Sequence, residues 1–251
     1  KARAVPRCRC SMEGIKVNAL MLRAADYGEN DKILTLLTAE LGKISAGIKG
    51  VKKAGAKLKF AAQPFCFAEY ILSKRGERYT VTNASETESF YDIRTDINKF
   101  YAASAVCEAA NSLTYGGIDD TPVFTLAVQA LSNICNGAED AALIKFLLSA
   151  LSAAGYTGGL DNCTECGSPL ISADKMRFDM NAGSFTCWDC GTGAGTSGVT
   201  YNVLRKCAGK SYSAQFFTAA GEKRALRLLR EFLTFKTDAH CNSLTEYIRL
   251  L

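Results

Sequence analysis

Residues 12–51 read MEGIKVNALMLRAADYGENDKILTLLTAELGKISAGIKGV, a succession of short apolar segments cut by turn residues. MEGIKVNALML is compatible with a strand, and KILTLLT is compatible with a strand or a helix. GKISAGIKGV alternates apolar and polar positions, with Gly42, Gly47 and Gly50 as punctuation. FCFAEYILS and RYTVTNASE follow, separated by the turn Lys74-Arg75-Gly76-Glu77. About five short strands in roughly 75 residues suit a small closed barrel better than an open sheet, because closure removes unpaired edges.

Beyond residue 90 the period changes to helical. Residues 94–114 place Ile97, Phe100, Tyr101, Ala105 and Cys107 at helical spacing. Thr121-Pro122 predicts an N-cap followed by proline at the first helical position, and Asn136-Gly137 ends that helix. Residues 139–154 open with two acids and stop at Gly155, as the helix dipole and a glycine C-cap prefer. The Gly/Thr/Ser stretch 191–198 reads as a linker. Residues 222–236 predict an amphipathic helix with Leu226, Leu229 and Leu233 on one face, and a last short helix ends at Leu251. The expected class is α+β: an all-β barrel over 12–90, then an all-α domain over 91–251 with an inserted four-cysteine module at 160–192.

The 251 residues carry a net charge of +5, unevenly spread. Residues 12–85 hold 12 bases against 7 acids, whereas 86–162 hold 3 bases against 10 acids. Such segregation suggests one surface for an anionic partner and another for something else. The 11 cysteines are an odd number and cannot all close into disulfides. Cys66, Cys107, Cys135, Cys207 and Cys241 fall in apolar or helical stretches and read as buried reduced thiols, pointing to a cytoplasmic protein. No signal peptide or membrane-spanning run is evident. Residues 1–11 read as an upstream extension or tag remnant outside the fold.

Cys163-Thr-Glu-Cys166 and Cys187-Trp-Asp-Cys190 are separated by 20 residues. Two CxxC pairs at this separation have the spacing of a four-thiolate zinc site, each tight turn aiming two sulfurs at one ion. Glycine follows each pair, at Gly167 and Gly191, where positive φ would bring backbone N–H groups to the thiolates. Four protein thiolates leave no open position for water, so the expected zinc is structural. His240 is the only histidine and reads as a surface residue. The acid pairs Asp119-Asp120 and Glu139-Asp140 sit where loops and helix N-termini place capping groups. No nucleophile motif or P-loop is present, so a catalytic role is not expected.

Residues 43–59, KISAGIKGVKKAGAKLK, contain Lys43, Lys49, Lys52, Lys53, Lys57 and Lys59 and no acid. Glycine and alanine between them describe a flexible cationic loop able to follow a phosphate backbone. Lys74, Arg75 and Arg78 add charge at a second turn. Barrels of the OB type bind single strands through a basic groove with stacked aromatics, for which Phe60, Phe65, Phe67, Tyr70 and Tyr79 are at hand.

These residues also carry a family resemblance. Met12-Glu13-Gly14, Tyr27-Gly28-Glu29-Asn30-Asp31, Thr35-Leu36, Gly42-Lys43-Ile44 and Lys49-Gly50 resemble the start of bacterial RecO proteins. Gln63-Pro64-Phe65, the run from Lys145-Phe146 to Gly155-Tyr156, the two CxxC pairs and the closing Ser243-Leu-Thr-Glu-Tyr continue the match in order. The stretch TFKTDAHCNSL is more polar than that family's C-terminal region. The resemblance implies an N-terminal OB-fold and a helical domain carrying the zinc module. It implies binding of single- and double-stranded DNA, annealing of complementary strands, and work with RecR and single-strand binding protein (SSB) so that RecA can load. An SSB tail is acidic with an apolar end, so its receiving groove needs a cation beside apolar side chains. Lys145 with Phe146, or Arg224 and Arg227 of the helix 222–236, meet that description. The competing reading is a zinc-containing protein adaptor that does not touch DNA.

Overall fold

The computed structural model describes residues 14–116, 120–171, 173–191, 193–209 and 218–251. The extension 1–11 and Asp119 lie outside the described residues. The first half is the barrel. β1 (Ile15–Tyr27), β2 (Asp31–Thr38), β3 (Gly42–Ile48), β4 (Phe67–Arg75) and β5 (Arg78–Glu88) close in the order β1-β2-β3-β5-β4. All neighbours are antiparallel except β3 and β5, which run parallel with Ala46 beside Tyr79 and Ile48 beside Val81. KILTLLT, compatible with either state in the sequence, is strand β2, because both its edges pair, to β1 and to β3.

Alternation decides which side chains fill the barrel. Val17, Ala19 and Met21 of β1, Leu34 and Leu36 of β2, Ala46 and Ile48 of β3, Tyr70 and Leu72 of β4 and Val81 of β5 form its interior. The intervening Leu20 and Leu37 are cross-strand partners on the outside, yet both are fully buried. They join the core of the helical half, so the barrel's outer wall and the helices share one packed interface. Phe65 belongs to the same interface. It holds a left-handed φ of 66°, and its ring meets Phe100 edge-on with centroids 5.4 Å apart. A non-glycine residue in that region is strained, and the Phe100 contact offsets the strain.

The helices are α1 (Ile97–Leu113), α2 (Thr121–Cys135), α3 (Glu139–Ala153), α4 (Gly198–Ala208), α5 (Ala219–Thr237) and α6 (Asn242–Leu250). Asp96 caps α1, accepting from the N–H groups of Asn98 and Lys99. α3 ends at Gly155 with φ +76°, the glycine stop the sequence implies. At α2 the expected cap is displaced by one residue. Helical geometry begins at Thr121 itself, whose hydroxyl donates to the Ala39 carbonyl of the barrel. Asp120 occupies the cap position, but its carboxylate accepts the N–H of Lys43 instead of capping. Both polar groups are spent on joining the two halves.

Between α3 and α4 lies a small sheet, β6 (Lys175–Asp179), β7 (Ser184–Cys187) and β8 (Ala194–Ser197), in the order β7-β6-β8. The stretch read as a linker is therefore strand β8, paired to β6 from Lys175–Ser197 to Phe178–Ala194. Its Ala-Gly-Thr-Ser composition carries almost no apolar period, so only the pairing reveals it. α5 starts earlier than the expected residue 222, because Thr218 caps it through Gly221 N–H.

Candidate metal centre and nucleic-acid interface

The Sγ atoms of Cys163, Cys166, Cys187 and Cys190 all lie within 4.8 Å of one another. Around one ion with bonds of about 2.3 Å, a tetrahedron of sulfurs has edges of about 3.8 Å. Cys166 and Cys187 stand 3.9 Å apart. The four cysteines could therefore hold one metal ion.

Each CxxCG turn is closed by its glycine: Gly167 N–H donates to the Cys163 carbonyl at 2.9 Å and Gly191 N–H to the Cys187 carbonyl at 3.2 Å. The glycines thus serve carbonyls, not thiolates, and for different reasons. Gly167 has the expected left-handed φ of +74°. Gly191 does not; a Cβ there would come within 1.9 Å of Thr186 Oγ1, so space is what demands glycine. One thiolate-directed N–H comes from Cys187, which donates to Cys163 Sγ at 3.2 Å and ties the two knuckles together. Burial alone would raise the Cys163 thiol, but N–H groups of Cys166, Cys187 and Glu165 outweigh it and bring it down to about 6. Hydrogen bonding from the crowded Cys187 and Cys166 sulfurs pushes Cys190 up to about 12. A divalent cation would relieve that crowding by letting all four ionise. Arg177 braces the second knuckle, donating to the Trp188 and Gly193 carbonyls and stacking 4.1 Å from the Trp188 ring centre.

The predicted basic residues divide into two kinds. Lys49, Lys53, Lys57 and Lys59 are exposed, as are Lys74, Arg75 and Arg78 at the β4–β5 turn. Ile48, the residue before Lys49, pairs with Val81 of β5, roughly 10 Å along that strand from Arg78 at about 3.3 Å per residue. Lys43 is different. Its half-buried ammonium donates to the carbonyls of Asn111, at 2.6 Å, and Thr114, where α1 ends. Burial holds its pKa below the usual lysine value, with Asp120 opposing. It is a tie between the two halves. Lys52 is also engaged, 2.8 Å from the Asp26 carboxylate.

The lysine-rich loop is held more firmly than its glycines suggest. Gly50 N–H donates to Asp31 and Lys52 N–H to the Asn30 carbonyl, strapping the loop to the β1–β2 turn. Successive turns then carry it into a 3-10 turn at Phe60–Ala62. Among the aromatics, Phe65 and Tyr70 are buried, and Tyr70 donates to the Ala61 carbonyl. Phe67 packs edge-on against Phe124 of α2. Tyr79 lies under Lys74, 5.2 Å from its ring centre. Sequence reasoning missed Tyr27, which is 63% exposed beside the strap, and its neighbour Asp26. Their position at the end of a strand facing Gly28 is the signal that could have found them.

On the helical half, Phe146 is 2% exposed and belongs to the core, so it cannot offer its ring to a partner. Lys145 is half-buried, its charge felt by Cys207 of α4. It lies one turn before Leu148 and Ser149, which line an apolar cavity of about 260 Å³ with Leu204, Leu229 and Phe232. Arg224 and Arg227 line a separate groove of about 500 Å³ against β8, where Arg224 donates to Thr200 at 3.2 Å. No helix among the described residues is long and apolar enough to cross a membrane.

Comparison with known proteins places these features in a family. The family model described as Recombination protein O N terminal matches residues 12–90, and Recombination protein O C terminal matches 94–245. The protein named DNA repair protein RecO from Desulfitobacterium hafniense is 34% identical over 215 residues, covering 85% of this chain and 76% of its own. Its namesake from Desulforamulus reducens is 32% identical over 181 residues, covering 72% and 70%. That from an Anaeromyxobacter species is 33% identical over 185 residues, covering 72% of each. A closed five-stranded barrel, a helical half and a four-cysteine knuckle thus stand together in a chain that belongs to the recombination protein O family.

Proposed function

We propose that this protein is a non-catalytic, DNA-binding recombination mediator of DNA repair that anneals complementary strands and, with RecR, helps RecA load on SSB-coated DNA. The observation that carries the reading is the barrel loop: Lys49, Lys53, Lys57 and Lys59 make no ion pair or side-chain hydrogen bond among the described residues. Ammonium groups left to solvent on a barrel wall are ready to neutralise phosphates, and binding then releases condensed counterions. Lys74, Arg75 and Arg78 extend the track, and the exposed Tyr27 offers a ring for an unpaired base. Single strands and duplex both present the phosphates such a track meets. The four-cysteine cluster would hold one zinc, and with every protein position a thiolate its role is structural. The helical half would receive the SSB tail beside Lys145. The setting is the bacterial cytoplasm, at the nucleoid.

Annealing of complementary SSB-coated oligonucleotides with and without the protein tests the whole reading. Acceleration that is lost when Lys53 and Lys57 are neutralised supports it. Unchanged annealing together with salt-independent gel shifts moves the assignment to a protein adaptor.

A further inference from the structure

Asp26 is an acid placed inside the basic face. It stands one residue before the end of β1, opposite Lys32 of β2, and its carboxylate lies 2.8 Å from the Lys52 ammonium and 3.8 Å from that of Lys32. These side chains, with Val51, Lys59, Ala62 and Gln63, line a concavity of about 290 Å³, large enough for a phosphate group. Two lysines thus hold one carboxylate, and a third, Lys59, lines the same hollow.

Holding the loop does not require that carboxylate. The strap is already made by Gly50 N–H on Asp31 and Lys52 N–H on the Asn30 carbonyl. The Asp26 side chain is 62% exposed and free to turn away into solvent. Hydrogen bonding from Lys52 lowers its pKa, so acidification within the physiological range does not remove its charge. Only another anion can take its place.

Resting on the DNA-binding reading above, we propose that Asp26 is a built-in stand-in for phosphate, which a DNA strand displaces from Lys32 and Lys52, beside Lys59, and which free phosphates cannot displace. The asymmetry follows from effective concentration. A carboxylate tethered in the pocket competes as if present at millimolar levels or above, which a lone anion in solution does not match. A strand held at the same time by Lys49, Lys53 and Lys57 presents its next phosphate on equal terms. Asp26 therefore sets selectivity for a polyanion at some cost in affinity.

The test measures anisotropy of a labelled oligothymidylate over a salt series, and displacement of that strand by inorganic pyrophosphate. It uses wild type, Asp26→Asn, Lys52→Gln, the double variant, and Glu77→Gln as an equal charge change at the other basic turn. Asp26→Asn is expected to bind the strand about fivefold to tenfold more tightly, to steepen the salt dependence by up to about one unit, and to make pyrophosphate an effective competitor. Glu77→Gln is expected to gain less than twofold. In the Lys52→Gln background most of the Asp26→Asn gain should vanish. A gain no larger than that of Glu77→Gln, a gain that persists without Lys52, or unchanged competition by pyrophosphate overturns the Asp26 assignment while leaving DNA binding intact. Failure of every variant to bind the strand overturns the DNA-binding reading and this one with it.

Discussion

Lys43 of the barrel holds the end of α1 by donating its ammonium to the carbonyl of Thr114. The same ammonium reaches Asn111, and the Lys43 N–H reaches Asp120 at the start of α2. One residue therefore serves carbonyls that a helix C-terminus leaves without partners and adds a cation where the dipole favours it. A hydrogen bond to a charged donor contributes about 1.5–3 kcal/mol. Lys43→Gln should lower Tm by about 4–8 °C for a chain of this size, with affinity for DNA changed less than twofold. Thermal melts and a gel shift on the same preparations check both halves. An unaltered Tm with a large loss of DNA binding would return Lys43 to the phosphate track.

That contrast shows what the sequence can and cannot tell. Lys43 sits among five other lysines, and nothing in the chain around it distinguishes it, because its partners are 68 and 71 residues away. The barrel was legible because most of its strands announce themselves within a few residues, by alternation at β3 and by glycines at the turns, while β2 needed its two partners to settle it. The cysteine ligands were legible because two CxxC pairs are local signals. β6, β7 and β8 were not, since strands of four and five residues are too short to show a period and are defined by whom they pair with. α4 escaped for a related reason: GVTYNVLRKCA mixes β-branched residues into a helix whose stability comes from burying Tyr201, Val203 and Leu204. Phe146 looked available beside a lysine and is core, because helix position, not neighbouring charge, decides which face it takes.

Removing a metal ligand should unsettle more than the knuckle. Phe178 and Phe185 of the small sheet pack edge-on against Phe232 of α5 and Tyr201 of α4, with ring centres 5.2 and 5.1 Å apart. Wild type is expected to hold about one zinc per chain. Cys163→Ser or Cys187→Ser should lose it and destabilise the helical half by several kcal/mol, since metal binding and folding are linked. The metal should also leave as pH falls, because protons compete for the thiolates. Metal analysis paired with circular dichroism checks this; reduced wild-type protein carrying no zinc would remove the assignment.

Glu222 makes stability depend on pH. It lies in the first turn of α5, where the helix dipole favours a charge. Burial and the nearby Asp140 carboxylate outweigh the dipole and push it up to about 7. The folded state then holds a proton that the unfolded chain releases near its ordinary value of 4.5. Stability should therefore fall as pH rises from about 4.5 to about 7 and stay lower above it. Glu222→Gln removes the dependence. With half-exposed screening discounted, the variant should melt about 2 °C higher than wild type at pH 8 and alike at pH 5. Equal melting at both values would show that the carboxylate ionises freely.

Lys145 offers the sharpest separation of the two proposed surfaces. It lies on α3 one turn before Leu148 and Ser149, which line the apolar cavity with Leu204, Leu229 and Phe232. A tail with acids followed by an apolar end fits a cation beside such a cavity. Lys145→Glu replaces attraction by repulsion, worth over about 1 kcal/mol across an interface, and should weaken binding of an SSB tail peptide about tenfold or more. Because Cys207, which senses Lys145, also senses Glu222, a new acid there adds to existing negative charge and costs stability. Lys145→Gln avoids that cost and should still weaken the peptide severalfold. Binding of naked DNA should barely change in either variant, since the lysine track lies on the barrel. Titration of a fluorescent tail peptide decides the site. Equal affinity for wild type and Lys145→Gln would remove Lys145 and direct the search to Arg224 and Arg227, whose groove against β8 is the other place where cations border apolar side chains.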